Sequence, residues 1–248
     1  MITVIAFYLG LIVSVIGLVG LVKRPRRAGS RMRAALMLGS GLVLVGVGLT
    51  YPPTETYISS PRTQLDEFMP VFQFNEVNSI RVAAAPSRVY QAMKAVTPDE
   101  IALFNVLTSM RRSGQPGSEG VLNAPSNESL LATALRSSFV LSADQPNREV
   151  VLGTAVIVPA GYDTDPESFR NEFKQVRAPG FALAAINFFI EPSGANASII
   201  TTETRVYATD LPTQKRFSAY WRVIYPGSSL IRRMWLRAIR NRAELQEH

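Results

Sequence analysis

Three polar side chains on two strand-like runs late in the chain are the strongest candidates for chemistry. In "FALAAINFFIE" (181–191), Asn187 is the one polar residue in an apolar interior. In "TTETRV", Glu203 and Arg205 share a face, because side chains alternate along a strand with a period of two. Inside an apolar barrel, such a cluster would orient a ligand head group or transfer a proton. The alternative is an ordinary Glu–Arg pair on the solvated side of a half-buried sheet.

Composition excludes most common catalytic machinery. The chain has no cysteine, and its one histidine is the last residue, His248. A thiolate nucleophile, a Cys-ligated zinc, a Ser–His pair and a multi-His metal site are therefore impossible. The carboxylates are dispersed without ligand spacing, and the glycines form no phosphate-binding loop. We expect no cofactor, no metal ion and no catalytic residue, so an enzyme is the least supported class.

The positive charge is concentrated at the beginning of the chain. Residues 1–50 hold six Lys and Arg and no acid, whereas residues 51–248 hold 20 Lys and Arg against 19 Asp and Glu. Of the net charge of +7, +6 therefore belongs to the first fifty residues and +1 to the remainder. A nucleic-acid-binding protein would concentrate its cations on the folded domain. We predict no nucleic-acid partner.

Two uncharged runs predict a transmembrane hairpin over residues 1–51, with helices at about 2–22 and 34–51. The first run has 21 residues and the second 18, and about 20 apolar residues span a hydrocarbon core. Pro52 and Pro53 end the second run. A cleaved secretory signal is the alternative for the first run, but no cation precedes its apolar core and a basic cluster follows it.

The loop between the two runs predicts the orientation of the chain. Short cytoplasmic loops carry an excess of Lys and Arg, and the segment after the second run, 52–68, has one Arg and three acids. The loop is thus predicted to be cytoplasmic, with the N-terminus and the C-terminal domain on the extracytoplasmic, or periplasmic, side. The six cations that set this topology are Lys23, Arg24, Arg26, Arg27, Arg31 and Arg33.

Small residues in the two runs predict close packing of the hairpin or docking on partner helices, because small side chains let backbones approach. They are Gly10, Ser14 and Gly17 in the first helix and Gly39, Gly41, Gly46 and Gly48 in the second.

Residues 52–75 are rich in Pro, Ser and Thr and are predicted to be a linker or an extended arm. An α+β domain over 76–248 follows. Its predicted order begins with a strand at 79–83, a helix opened by Pro86 and a second helix capped by Thr97. A short helix at 127–137, another at 165–173 and four strands complete the middle of the domain. The four strands are predicted at 139–144, 148–158, 181–191 and 197–209.

The chain ends in a long amphipathic helix that Pro226 and Gly227 are predicted to break or kink, because proline removes a backbone donor. A twisted antiparallel sheet closed over by one long helix satisfies this order of elements.

The string "SIRVAAAPSRVYQAMKAV" (79–96), followed late by "TTETRVYAT" (201–209) and a terminal amphipathic helix, resembles the START-like, or SRPBCC, superfamily. The resemblance covers about residues 76–245 and implies the helix-grip fold, an incomplete antiparallel barrel wrapped around the C-terminal helix. It also implies an apolar ligand held between sheet and helix; a minority of members, the polyketide cyclase-like enzymes, catalyse cyclisation or dehydration there. The hairpin and the Pro–Gly break depart from the soluble members.

Two further sets of residues are candidates for contacts. Trp221 joins Asn187, Glu203 and Arg205 as a candidate ligand-binding residue, although an aromatic side chain at helical spacing is more often part of the core. The cations on the last helix are candidates for contact with anionic lipid head groups or an acidic partner, or form a solvated face. They are Arg232, Arg233, Arg237 and Arg240.

Two functions of different class follow from these patterns. The first is a membrane-anchored extracytoplasmic domain that binds a lipid or other hydrophobic small molecule without catalysis. The second is an accessory subunit of a larger membrane complex, whose hairpin docks on partner helices and whose domain caps the outer face.

Overall fold

The computed structural model describes residues 2–23, 28–51, 53–101, 128–136, 139–162, 173 and 176–245. The chain forms two compact units. The first comprises Met1–Thr54 and Ser218–Val223, and the second comprises Glu55–Phe217 and Ile224–His248. The boundary before the α+β unit therefore lies at Glu55, about twenty residues before the start predicted from the sequence.

The first unit is dominated by two long apolar helices, α1 (Ile2–Val22) and α2 (Ala28–Thr50). The segments Val4–Val22 and Gly29–Thr50, with mean hydropathies of 2.6 and 1.8, are long and apolar enough to cross a membrane. Helix α2 begins six residues earlier than predicted, because the prediction counted only the uncharged run, whereas arginine at 31 and 33 also favours helix.

This earlier start changes the position of the basic residues. Arg31 and Arg33 lie in the first two turns of α2, and Lys23 lies in the turn after α1. The other three cations of the loop, Arg24, Arg26 and Arg27, fall outside the described residues.

Glycines bring α1 and α2 into backbone contact. A Cβ atom built on Gly17 would lie 2.8 Å from the carbonyl oxygen of Ala34, and one on Gly41 would lie 2.5 Å from the main-chain nitrogen of Ser14. Real Cβ atoms do not approach other atoms so closely, so only glycine fits at these two positions. Gly10 and Gly48 lie in the same seam, whereas Gly39 and Gly46 face open space. Five of the seven predicted small residues thus pack the hairpin.

The segment predicted as a linker, 52–75, contains ordered elements instead. Strands β1 (Thr56–Tyr57) and β2 (Val71–Phe72) pair antiparallel on either side of helix α3 (Gln64–Phe68). We call residues 55–72 the strap. The strap is ordered because its apolar side chains, which include Leu65, Met69 and Phe72, are buried against the sheet. These apolar residues are widely spaced among Pro, Ser and Thr, so the segment shows no helix or strand pattern in the sequence.

A five-stranded antiparallel sheet forms the centre of the second unit, with strand order β3-β7-β6-β5-β4. The strands are β3 (Phe74–Val82), β4 (Val140–Gln145), β5 (Glu149–Ile157), β6 (Ala182–Pro192) and β7 (Ser198–Ala208). Each lies within a few residues of its predicted position, although β3 begins five residues earlier.

Short helices precede β4. Helix α4 (Pro86–Ala95) opens at the predicted proline. A 3₁₀ turn (Pro98–Glu100) follows, in which the predicted cap residue Thr97 forms a capping box with Glu100. Helix α5 (Leu130–Arg136) matches the predicted short helix. The rest of the second predicted helix and, apart from Phe173, the helix predicted at 165–173 fall outside the described residues.

The C-terminal helix α6 runs from Leu211 to Leu245 without a break, so of the break or kink predicted at Pro226 and Gly227 the break is wrong. Proline at 226 removes the donor for the carbonyl oxygen of Arg222. Within the first unit, the hydroxyl of Tyr8 donates to that oxygen at 2.7 Å. The orphaned acceptor therefore keeps a hydrogen bond.

Two apolar clusters lie on opposite faces of the sheet. On the inner face, α6, α4 and α5 pack on Val150, Phe188 and Ile200. On the outer face, the strap packs on Val151, Leu183 and Ala185. The antiparallel sheet with one long C-terminal helix packed on its inner face confirms the predicted α+β, helix-grip class.

Candidate functional site

The three polar residues singled out in the sequence lie together on the outer face of the sheet. Asn187 Oδ1 accepts a hydrogen bond from the Glu203 main-chain N–H at 2.9 Å. Arg205 donates from Nε to Glu203 Oε1 at 2.8 Å and from Nη2 to Glu203 Oε2 at 3.1 Å. Alternation along β6 and β7 puts these side chains on the face of Leu183 and Ala185, away from α6. They do not line the space beneath the C-terminal helix, contrary to expectation.

The strap makes this cluster part of a larger network, which we call the outer network: Asp66, Glu149, Asn187, Glu203 and Arg205. Arg205, only 4 % exposed, donates from Nη2 to Asp66 Oδ1 at 2.6 Å and from Nη1 to the Met69 carbonyl at 3.1 Å. Its guanidinium also lies over the ring of Phe72, 4.7 Å from the centroid. The expected solvated Glu–Arg pair is therefore buried by the strap.

Glu149 anchors the other end of the network. Its carboxylate, in a residue 1 % exposed, accepts from the main-chain N–H groups of Gln64 (2.7 Å) and Leu65 (3.2 Å), and from Asn187 Nδ2 (2.7 Å). It thus satisfies two donors at the first turn of α3, where a helix leaves N–H groups without intrahelical partners.

The electrostatics of the outer network are those of a satisfied structural ion pair. Burial alone would raise the pKa of Asp66, but the main-chain N–H of Arg62 and the Arg205 guanidinium outweigh it and lower that pKa. Burial likewise opposes the charge of Arg205, yet Glu203 and Asp66 raise its pKa. The outer network thus ties the strap to the sheet through hydrogen bonds of Asp66, Glu149 and Arg205.

A second polar group lies on the inner face, beneath α6. We call it the inner polar cluster: Glu76, Asn78, Thr202, Thr204, Ser229, Arg232 and Arg233. Glu76 and Asn78 of β3 pair in register with Thr204 and Thr202 of β7. All four strand residues are at most 7 % exposed.

Hydrogen bonds join α6 to these strands. Arg233 Nε donates to Asn78 Oδ1 at 3.0 Å, and Arg232 Nη1 lies 3.5 Å from Thr202 Oγ1. Asn78 Nδ2 donates to Glu76 Oε1 at 2.9 Å. The four arginines proposed for lipid or partner contact, or for a solvated face, are placed differently. Arg232 and the exposed Arg233 bond to the sheet, Arg237 is exposed, and Arg240 is half-buried.

Two buried oxygens of the inner polar cluster have no hydrogen-bond partner among the described residues. They are Glu76 Oε2 and Thr204 Oγ1. The nearest cation to Glu76 Oε2 is Arg232 Nε at 4.0 Å, beyond hydrogen-bonding distance. Burial, and secondarily the Glu76 carboxylate, raises the pKa of the neighbouring Tyr225. Since buried polar atoms are nearly always paired, two such atoms on facing strands are an exception that needs a cause.

The inner face changes from polar to apolar along the helix. One turn beyond Arg232, Trp235 packs edge-on to Phe188 with ring centroids 4.9 Å apart. Ile80 and Ile200 continue the apolar part on β3 and β7. The face beneath α6 therefore has a polar end and an apolar end, and the side chains of the apolar end pack into one core cluster.

Trp221, the remaining sequence candidate, is not part of this face. It is 6 % exposed and belongs to the segment Ser218–Val223 of the first unit. A cleft of about 460 Å³ opens beside the last turns of α6, lined by Glu100, Ala238, Asn241, Arg242 and Leu245, and bridged by an Arg242–Glu100 pair at 2.6 Å. Within the described parts of the chain, no cluster of three metal-ligating side chains occurs.

The inner polar cluster was missed in the sequence, yet a signal for it exists. In "FNEVNSIRV", Glu76 and Asn78 alternate in phase with Phe74, Ile80 and Val82. Extending the predicted strand five residues upstream would have placed both polar residues on the buried face. The strap partner Asp66 has no comparable signal, because its contact with Arg205 spans 139 residues.

Comparison with known proteins gives structural likeness only. No protein-family model and no curated protein matches the sequence. Protein MLL2253 from Mesorhizobium loti is similar over 71 % of this chain and 100 % of its own, with 10 % identity and a TM-score of 0.34. Norcoclaurine synthase from Thalictrum flavum is similar over 71 % of this chain and 87 % of its own, with 11 % identity and a TM-score of 0.26.

The ZhuI aromatase/cyclase from Streptomyces sp. R1128 is similar over 71 % of this chain and 96 % of its own, with 13 % identity and a TM-score of 0.26. Because all three TM-scores are below 0.5, the fold assignment rests on the sheet order and the C-terminal helix.

Proposed function

We propose that this chain is a membrane-anchored, non-catalytic binding protein whose helix-grip domain holds a lipid or other hydrophobic ligand on the extracytoplasmic side. The observation that carries the proposal is the inner face beneath α6. It joins an apolar surface around Trp235 to buried oxygens of Glu76 and Thr204 that have no partner among the described residues. An amphipathic ligand would satisfy both parts.

The outer network argues against catalysis at the residues first considered for it. General acid–base catalysis requires a group that reaches the substrate. Asn187, Glu203 and Arg205 are instead bonded to one another and to the strap. They stabilise the domain in this proposal.

Native mass spectrometry of the full chain after gentle extraction tests the binding function. We expect a small hydrophobic molecule to accompany the protein at a fixed ratio and to be lost when Trp235→Ala shortens the apolar surface. The matched control is Val223→Ala, which shortens an exposed side chain on the same helix. Protein that carries no such molecule would count against the proposal.

The absence of cysteine makes the proposed orientation directly testable. Lys215→Cys places a thiol on the exposed start of α6, and Gly29→Cys places one at the exposed start of α2. On intact cells, a membrane-impermeant maleimide should label the first variant and leave the second unlabelled until the membrane is opened. The reverse pattern would refute the extracytoplasmic location.

One observation favours a second function, that of an accessory subunit in a larger membrane complex. The apolar end of the inner face is already filled by side chains of the domain, among them Phe188, Trp235 and Ile239. In that case the full chain should be recovered with stoichiometric protein partners and no small molecule. The same extraction therefore separates the two functions.

A further inference from the structure

The inner polar cluster contains a carboxylate oxygen of Glu76 and the hydroxyl of Thr204, which lie on paired residues of the adjacent strands β3 and β7. Glu76 is 2 % exposed, and its Oε1 already accepts from Asn78, which leaves Oε2 to be satisfied. Thr204, its partner in the register of β3 and β7, is 5 % exposed and has an unpartnered Oγ1 among the described residues. Leaving such atoms unpaired is unfavourable, because each loses the hydrogen bond that it makes with water in the unfolded chain.

Resting on the proposed function, we propose that this cluster binds the head group of a neutral, hydroxyl-bearing amphiphile, of which a monoacylglycerol is the simplest. A hydroxyl donates one hydrogen bond and accepts others. It would donate to Glu76 Oε2 and accept from the Thr204 hydroxyl or the Arg232 guanidinium.

The spacing of the groups fits a hydroxyl oxygen. Glu76 Oε2 and Arg232 Nε are 4.0 Å apart. One oxygen can lie about 2.8 Å from both, the ordinary hydrogen-bond length, when it stands to the side of the line that joins them. The oxygen then links an acceptor on β3 to a donor on α6.

The charges of the cluster disfavour charged head groups. A fully ionised phosphate has no hydrogen to donate to Glu76 Oε2, and repulsion between its oxygens and the buried carboxylate offsets its attraction to Arg232 and Arg233. A trimethylammonium group has no N–H to donate and would lie beside Arg232 and Arg233. A neutral polyol meets neither penalty.

An acyl chain bound here would run along the inner face and displace side chains that now pack there. Trp235 lies one turn after Arg232 on α6 and contacts Phe188. A chain that starts at Glu76 and follows α6 toward its C-terminus therefore reaches the indole ring. This makes Trp235 a natural reporter of occupancy once the second tryptophan is replaced.

Quenching by brominated probes tests the proposal in the full chain carrying Trp221→Phe, held in phosphatidylcholine nanodiscs. Three probes share an 11-bromoundecyl chain and differ in head group: glycerol ester, phosphate and trimethylammonium. We expect saturable quenching of Trp235 by the glycerol probe, with the phosphate and trimethylammonium probes at least 10-fold weaker.

Two variants test whether quenching by the glycerol probe depends on the inner polar cluster. Glu76→Gln should weaken the glycerol probe at least 10-fold, while Glu191→Gln, an exposed carboxylate on β6, should leave it unchanged. Thr204→Val replaces an unpartnered hydroxyl by a methyl group, so it should weaken binding while raising the melting temperature. If Glu76→Gln fails to fold, Thr204→Val still tests whether the inner polar cluster binds the head group.

The outcomes distinguish the head-group assignment from the underlying hydrophobe-binding function. Equal quenching by all three probes, or glycerol binding unaffected by both variants, would overturn the head-group assignment and leave a hydrophobe-binding function standing. Absence of saturable quenching by any probe, as expected if water alone satisfies the two oxygens, would overturn both.

Discussion

Replacing Arg205 by methionine should destabilise the domain by about 3–5 kcal/mol, the usual cost of removing one partner of a buried ion pair. The substitution leaves two carboxylates without their cation: Asp66, with a side chain 9 % exposed, and Glu203, 18 % exposed. It also removes the donor to the Met69 carbonyl. Both losses fall on the strap, which should detach from the outer face.

The assay is urea unfolding of the detergent-solubilised chain, followed by near-ultraviolet circular dichroism. Lys94→Met is the matched control, since it breaks the Lys94–Asp144 pair, whose N–O distance is 2.9 Å and whose side chains are 43 % and 27 % exposed. An exposed pair contributes about 0.2–1 kcal/mol. Arg205→Met combined with Asp66→Asn should recover part of the loss, because one buried charge disappears. A cost for Arg205→Met no larger than that of the control would refute this account of the strap.

The remaining predictions concern the hairpin, the helix and pH. Gly17→Leu should disrupt the detergent-solubilised hairpin and expose it to protease, while Gly39→Leu, which faces open space, should not. Pro226→Ala should raise the free energy of unfolding by about 1–3 kcal/mol, since alanine suits an exposed helix interior better than proline. The lowered pKa of Asp66 stabilises the fold above its unfolded pKa, so this contribution should be lost as the pH falls below about 4. In Asp66→Asn, melting temperatures measured over a series of pH values should fall less steeply below about pH 4 than in the parent chain.

Element positions followed from the sequence wherever local patterns decide them. The alternation in β6 and β7, the proline at the start of α4 and the Thr97–Glu100 capping box each depend on neighbours a few residues away. The two apolar helices followed from length and composition alone. Local physics also explains the order of strands and helices that gives the α+β class.

Which face of the sheet each helix covers did not follow from the sequence. A period of two says that Asn187 and Arg205 share a face, but both faces of this sheet are buried, one by α6 and one by the strap. The choice between them depends on contacts such as Arg205–Asp66, made far apart in the chain. The contacts of Glu76 could not be predicted locally either, because Arg232 of α6 lies far from it in the chain.

The strap has a consequence for folding during synthesis. It follows the hairpin directly out of the ribosome, yet Arg205 is made 139 residues after Asp66. At about 5–20 residues per second, the strap waits roughly 7–28 s for its partner. Throughout that interval Leu65, Met69 and Phe72 lack part of the sheet that buries them in the folded domain. The slowest contact to form is thus also the one that closes the outer core, and nascent chains stalled before β7 should be the ones that chaperones or proteases capture.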